Sequence, residues 1–102
     1  MSFPQETIER TLADLRLTIE EDGWRLRDQE QEQLSIAYQL FLIDELRLKA
    51  KNEGERDDWD LEASFLACQQ ERCLQDMERL REELQRNTAL FALAKQSKYR
   101  ID

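Results

Sequence analysis

The second half of the sequence has an apolar spacing that is typical of a long helix packed along another helix. Between residues 58 and 98, positions three and four residues apart carry the residues Trp59, Ala63, Leu66, Gln70, Cys73, Met77, Leu80, Leu84, Asn87, Phe91 and Ala94. We call these positions the C-terminal seam. Such a heptad spacing places one side of a helix against a partner helix. A helix of forty residues is about 60 Å long, so the pattern predicts that another helix, and a second molecule, lie against it.

Composition favours long helices over sheets. Of the 102 residues, 37% are charged and 40% are hydrophobic, and only two are glycine and one is proline. Few helix breakers, together with abundant Leu, Glu, Arg and Gln, are typical of helical chains. The length suits one domain, and we therefore expect a single helical domain over residues 1–102.

Local signals divide the chain into three predicted helices. The first spans about residues 4–22, with Ser2 as its cap, an apolar stripe from Ile8 to Ile19, and Gly23 as the residue that ends it. The second spans about residues 28–52, with Asp28 as its cap and Gly54 beyond its end. The third spans about residues 58–98 and is capped by Asp57 or Asp58.

The centre of the second predicted helix, residues 34–43, is apolar nearly all round. Such a helix must be covered on more than one side. The first helix would cover one side, the third helix another, and a second copy of the chain the remainder. The predicted fold is therefore an all-α three-helix bundle with a long C-terminal heptad-patterned helix, paired in an antiparallel helical homodimer.

The candidates for a dimer or partner interface are large apolar and aromatic side chains of the second and third predicted helices. These candidates are Tyr38, Phe41, Leu42, Leu46, Trp59, Phe65, Leu90, Phe91, Leu93 and Tyr99. The last four belong to an apolar and then basic segment, which could dock into a partner's groove or close the bundle.

Asp44 is the candidate buried acid, because it falls among Ala37, Leu40, Phe41 and Leu48 on a helical wheel. A buried carboxylate requires a partner. The functional alternatives are a metal ligand or a contact to a partner's arginine. The favoured structural alternatives are an ion pair with Arg72, Arg79 or Arg81, or a position near the edge of the bundle from which the carboxylate reaches water.

Three further residues of the third predicted helix bear on packing. Gln70 and Asn87 interrupt the C-terminal seam; they either fix its register or mark where it faces water. Cys73 lies on the seam and Cys68 on a second face, so an intrahelical disulfide is not expected.

Charge and missing residue types restrict the function. The net charge is −8, with +3 from Arg86 onward and therefore −11 over residues 1–85, which argues against direct nucleic-acid binding. The chain has no histidine, and two glycines cannot form a phosphate-binding loop. We expect no enzyme, no metal and no cofactor. A magnesium-dependent nucleotide hydrolase is a remote alternative, with Asp44 and Glu45 facing Glu71, Asp76 or Glu78.

What the sequence visibly offers is helical surface. It predicts a non-enzymatic protein–protein interaction module: an adaptor, chaperone or regulator that binds a protein partner. The alternative is an acidic, nucleic-acid-mimicking inhibitor of a nucleic-acid-binding protein. Unpaired thiols favour the cytoplasm, and we expect neither a signal peptide nor a membrane span.

Overall fold

The chain forms two long helices. In the computed structural model, which describes residues 4–99 and side chains through Gln96, α1 spans Gln5–Leu48 and α2 spans Glu53–Tyr99. The all-α prediction is confirmed. The three-helix bundle is wrong, because the first two predicted helices are one continuous helix.

α1 continues through Gly23, where the sequence rules predicted an end. The described glycines have no positive φ angle, so Gly23 has ordinary helical geometry. The reason lies in the apolar spacing, which keeps one phase on both sides of Gly23. We call this set of buried or half-buried positions the N-terminal seam: Ile8, Leu12, Leu15, Ile19, Asp22, Leu26, Gln29, Gln33, Ile36, Leu40, Ile43 and Arg47. A glycine inside a helix costs about 1 kcal/mol, which burial along this seam outweighs.

The turn between the helices is short and capped by Asn52. Its side-chain Oδ1 accepts a hydrogen bond from the backbone N–H of Glu55 at 2.9 Å, and its backbone oxygen accepts one from Arg56 at 3.2 Å. The Glu55 carboxylate in turn accepts a bond from the backbone N–H of Lys51 at 3.0 Å. This arrangement closely resembles a capping box, and it starts α2 five residues before the predicted start at residue 58.

The predicted C-terminal seam is confirmed position by position. All eleven of its residues are buried or half-buried, and Leu66, Cys73, Met77 and Leu80 are each less than 8% exposed. The spacing alone therefore identified the packed side of α2.

Contacts divide the chain into two units. The first, which we call the hairpin unit, comprises residues 27–78: the second part of α1, the turn and the first part of α2. Its core is formed by Ile36, Ile43 and Leu66, with partly buried Leu40, Trp59 and Ala63 packed against them. Gln29 contacts Cys73 and Arg47 contacts Asp60, so the two helical segments of this unit run antiparallel.

The second unit, which we call the terminal unit, comprises residues 1–26 and 79–102. Ile8 and Leu80 are its buried apolar residues within the described part. The side-chain amide of Asn87 donates a hydrogen bond to the carboxylate of Asp22 at 3.5 Å. A small cavity between the segments is lined by Leu12, Arg16, Phe91 and Lys95, among others. The helical segments of this unit also run antiparallel.

Gly23→Ala is expected to stabilise the protein by about 0.5–1 kcal/mol, because Gly23 is helical and an added Cβ would meet no atom within 4 Å. Chemical denaturation followed by circular dichroism measures the change. Gly54→Ala is the matched control, since its Cβ would lie 3.3 Å from Asn52 Oδ1 and the gain there should be smaller. A loss of stability in Gly23→Ala would show that the glycine ends a helix after all.

Candidate interaction surface

One exposed apolar surface lies on α1 within the hairpin unit. Leu34, Tyr38, Phe41 and Leu48 are 65%, 63%, 60% and 84% exposed. They follow one another at intervals of four, three and seven residues, so they share one side of the helix. None belongs to the N-terminal seam. We call these four residues the outer face.

A groove flanks the seam in the same unit. It has a volume of about 780 Å³ and runs along α1 from Gln39 to Leu46, then past the end of the helix to Ala50. Its apolar residues include Leu42 and Leu46, each 41% exposed, and half-buried Trp59. We call it the acidic groove, because its charged lining consists of Lys49 together with Glu55, Asp58 and Glu62.

The first turns of α2 carry a second apolar stripe. Leu61 is 73% exposed, Phe65 is 66% exposed, and Cys68 is also exposed. Their spacing of four and three residues places them on one side of α2, off the C-terminal seam.

The C-terminal interface candidates divide between exposed and packed residues. Leu90 and Leu93 are 46% and 59% exposed, whereas Phe91 is half-buried on the seam. The ammonium group of Lys95 lies 5.3 Å from the centre of the Phe91 ring, within the range of a cation–π contact. The side chain of Tyr99 and the proposed cap Ser2 lie outside the described residues, as does the charged end of the basic tail.

The prediction that Asp44 is buried is wrong for this chain. The Asp44 side chain is 69% exposed, and its carboxylate lies 3.6 Å from Arg47, one turn along the same helix. It pairs with an arginine, but with none of the three that were predicted. Asp44 is one position beyond the seam residue Ile43, and two paired helices cover only a narrow strip, whereas a third helix would have covered the flank as well.

Arg47 is a charged residue on the seam itself. Its Nε atom lies 2.7 Å from the Oδ1 atom of Asp60, but the Nε–H group donates no well-aligned hydrogen bond. We therefore describe the contact as an ion pair without good hydrogen-bond geometry. Because the two side chains are 41% and 46% exposed, the pair contributes at most about 1 kcal/mol.

Among the described residues the buried acid is Asp22, which the sequence reasoning missed. It is 3% exposed and receives the hydrogen bond from Asn87. Gln29 and Gln33 are also seam residues, and the buried Oε1 atom of Gln33 has no hydrogen-bond partner among the described residues. The signal that would have found all three is the spacing of the first apolar stripe, continued through Gly23 instead of being stopped there.

Cys73 is a buried thiol in the hairpin unit. It is 4% exposed, and its S–H group faces the backbone oxygen and the Oε1 atom of Gln29 at 3.2 and 3.1 Å. Burial is the main cause that raises the pKa of the Cys73 thiol, and the carboxylates of Glu32 and Asp76 raise it further. The thiol is therefore protonated and inert at neutral pH, while Cys68 is free and exposed.

Comparison with known proteins gives no relative. No family model matches the chain, and neither a curated protein nor a solved structure is significantly similar to it. Over the described residues, neither helix contains a stretch long and apolar enough to cross a membrane. In the same part of the chain, no three His, Cys, Asp or Glu side chains are grouped so that they could hold a metal ion.

The side chains of Asp22 and Asn87 are expected to be energetically coupled. Either Asp22→Leu or Asn87→Leu alone leaves one polar group without its partner, so each should destabilise by about 1–3 kcal/mol. The double variant should be less destabilised than the sum of the two, with a coupling of at least about 0.5 kcal/mol. Chemical denaturation of all four proteins measures the cycle; additive effects would show that the two side chains do not interact.

The two thiols are expected to react at very different rates. Cys68 should be alkylated quickly in the folded protein and Cys73 only after opening, so Cys68→Ser should leave a single slow thiol.

The raised pKa also predicts that Cys73 contributes full stability below its unfolded pKa of about 8.5. This stability is lost as pH rises through the folded pKa. Cys73→Ala should lack that alkaline slope, and fast labelling of Cys73 at neutral pH would contradict the burial.

Proposed function

We propose that this chain is a non-enzymatic helical module that binds a protein partner, as an adaptor, chaperone or regulator does. The observation that carries the proposal is the distribution of exposed apolar side chains. Among the described residues thirteen large hydrophobic side chains are exposed, and nine of them lie in the hairpin unit. Contiguous apolar surface on a protein is typical of an interaction site, and the outer face supplies two aromatic side chains, the type enriched at interface hot spots.

The total surface supports the same proposal. The chain exposes 8344 Å², whereas a folded monomer of 12.3 kDa typically exposes roughly 6100 Å². Among the described residues, no large side chain is fully buried. A chain with this much uncovered surface gains stability from any partner that covers its apolar part.

We further propose that one of these partners is a second copy of the chain, so that the protein is a homodimer. Two-fold pairing is the commonest way for an identical chain to cover an exposed helical side. A cytoplasmic location fits this proposal, because an exposed free thiol such as Cys68 persists in a reducing compartment.

An acidic inhibitor of a nucleic-acid-binding protein is the second candidate, and the charge distribution favours it. The hairpin unit has fourteen acidic and six basic side chains, so it carries the whole net charge of −8, while the terminal unit has nine of each. A surface of one sign attracts proteins of the opposite sign. For such an inhibitor, the partner captured from cells would bind nucleic acid, and added DNA would displace it.

Replacing two aromatic residues of the outer face should abolish partner capture without unfolding the chain. Tyr38→Gln/Phe41→Gln is expected to reduce co-purification of the partner from cells that naturally make the protein by tenfold or more, which corresponds to about 1.4 kcal/mol. Because both side chains are exposed, the unfolding free energy should change by no more than about 0.5 kcal/mol per residue.

The matched control for that variant is Leu17→Gln/Trp24→Gln. These side chains are 58% and 63% exposed and lie in the terminal unit. The control should capture the partner as the wild type does. Equal capture by both variants and the wild type would contradict a role for the outer face.

A further inference from the structure

The acidic groove is open, apolar at its floor and negative along one rim. Leu42 and Leu46 line the α1 side, and Trp59 lies on the α2 side. Asp58 and Glu62, one turn apart on α2, are exposed along the rim. The α1 lining of the groove runs from Gln39 to Leu46, seven residue steps or about 10 Å, and continues past the end of the helix at Lys49 and Ala50. Its occupant must therefore offer a short helical stripe of apolar side chains with positive charge beside it.

The chain itself contains a segment of that chemistry. Residues 84–100, which we call the basic segment, have four basic side chains and no acidic one. Within it, Arg86, Leu90 and Leu93 are exposed and spaced by four and three residues, so they share one side of α2. This stripe is about 10 Å long, which fits within the length of the groove.

We infer that the acidic groove of one copy binds the basic segment of a second copy, with Leu90 and Leu93 on the apolar floor and Arg86 beside Asp58 and Glu62. The inference rests on the homodimer proposed above and says which surfaces form it. Docking a hairpin unit on another hairpin unit would bring together two surfaces of net charge −8. The basic segment is the apolar helical surface of opposite sign that this chain offers, and charge complementarity of this kind selects between pairings.

The test is a charge exchange between the two surfaces. Asp58→Lys/Glu62→Lys reverses the charge of the groove rim. Arg86→Glu/Lys98→Glu lowers the charge of the basic segment from +4 to 0 and makes residue 86, which the proposal places beside Asp58 and Glu62, negative. Each variant alone places like charges together at the contact, so its self-association should weaken by about tenfold or more. In an equimolar mixture, residue 86 of each copy again meets residues 58 and 62 of opposite charge in the other copy, so a mixed dimer should form with an affinity near that of the wild type.

Sedimentation equilibrium at micromolar concentration measures the mass and the dissociation constant of each sample. The wild type should have about twice the chain mass of 12.3 kDa. Raising the salt concentration should weaken its self-association. Glu20→Lys/Glu21→Lys is the control for the groove variant: it makes the same change in net charge at two exposed positions of the terminal unit, and it should dimerise as the wild type does. Circular dichroism confirms that all variants are folded.

The outcomes separate the two levels of the proposal. A wild-type monomer would overturn both the homodimer and this docking. A wild-type dimer that survives both charge reversals, or that weakens without recovery in the mixture, would keep the homodimer and overturn the docking of the basic segment in the acidic groove. The docking of the basic segment in the acidic groove is supported if both variants dimerise weakly by themselves and dimerisation recovers in their mixture.

Discussion

The match between two heptad seams is the constraint on which the rest of this structure depends. Each helix presents one strip of positions spaced by three and four residues, and antiparallel pairing sets Gln29 beside Cys73 in one unit and Asp22 beside Asn87 in the other. Burial along such a strip contributes about 25 cal/mol per Å² of apolar surface. It is strong enough to hold Gly23 in the middle of a helix, against the local tendency of glycine to end one.

The sequence predicted α2 well and α1 poorly, for the same physical reason. Every position of the C-terminal seam was correct, because no breaker interrupts it. In α1, the residues around Gly23 and Asp28 resemble a terminator and a new cap, and those local rules suggested two helices. The spacing of the seam before and after Gly23 pointed to one helix, and tertiary packing decided in its favour. At the turn, local capping interactions do determine where a helix begins. Asn52 and Glu55 form a cap, and α2 starts there.

The sequence predicts which side chains are large and apolar, but not how far the fold covers each of them. Tyr38, Phe41 and Phe65 are large apolar interface candidates of the second and third predicted helices, and all three are exposed. The helical wheel places Asp44 among apolar residues and so predicts that it is buried, but two paired helices leave that flank exposed. Whether a flanking position is buried depends on how many helices surround it, and spacing within one helix does not contain that number.

The apolar run at residues 34–43 shows how one stretch of helix can serve several contacts. Ile36, Leu40 and Ile43 pack in the core of the hairpin unit. Leu42 lines the acidic groove, and the aromatic residues Tyr38 and Phe41 lie on the outer face. Within the described residues only the first group is covered, so this apolar run makes one intramolecular contact and leaves two apolar surfaces exposed. A helix that is apolar on all sides has more apolar surface than one neighbouring helix can cover.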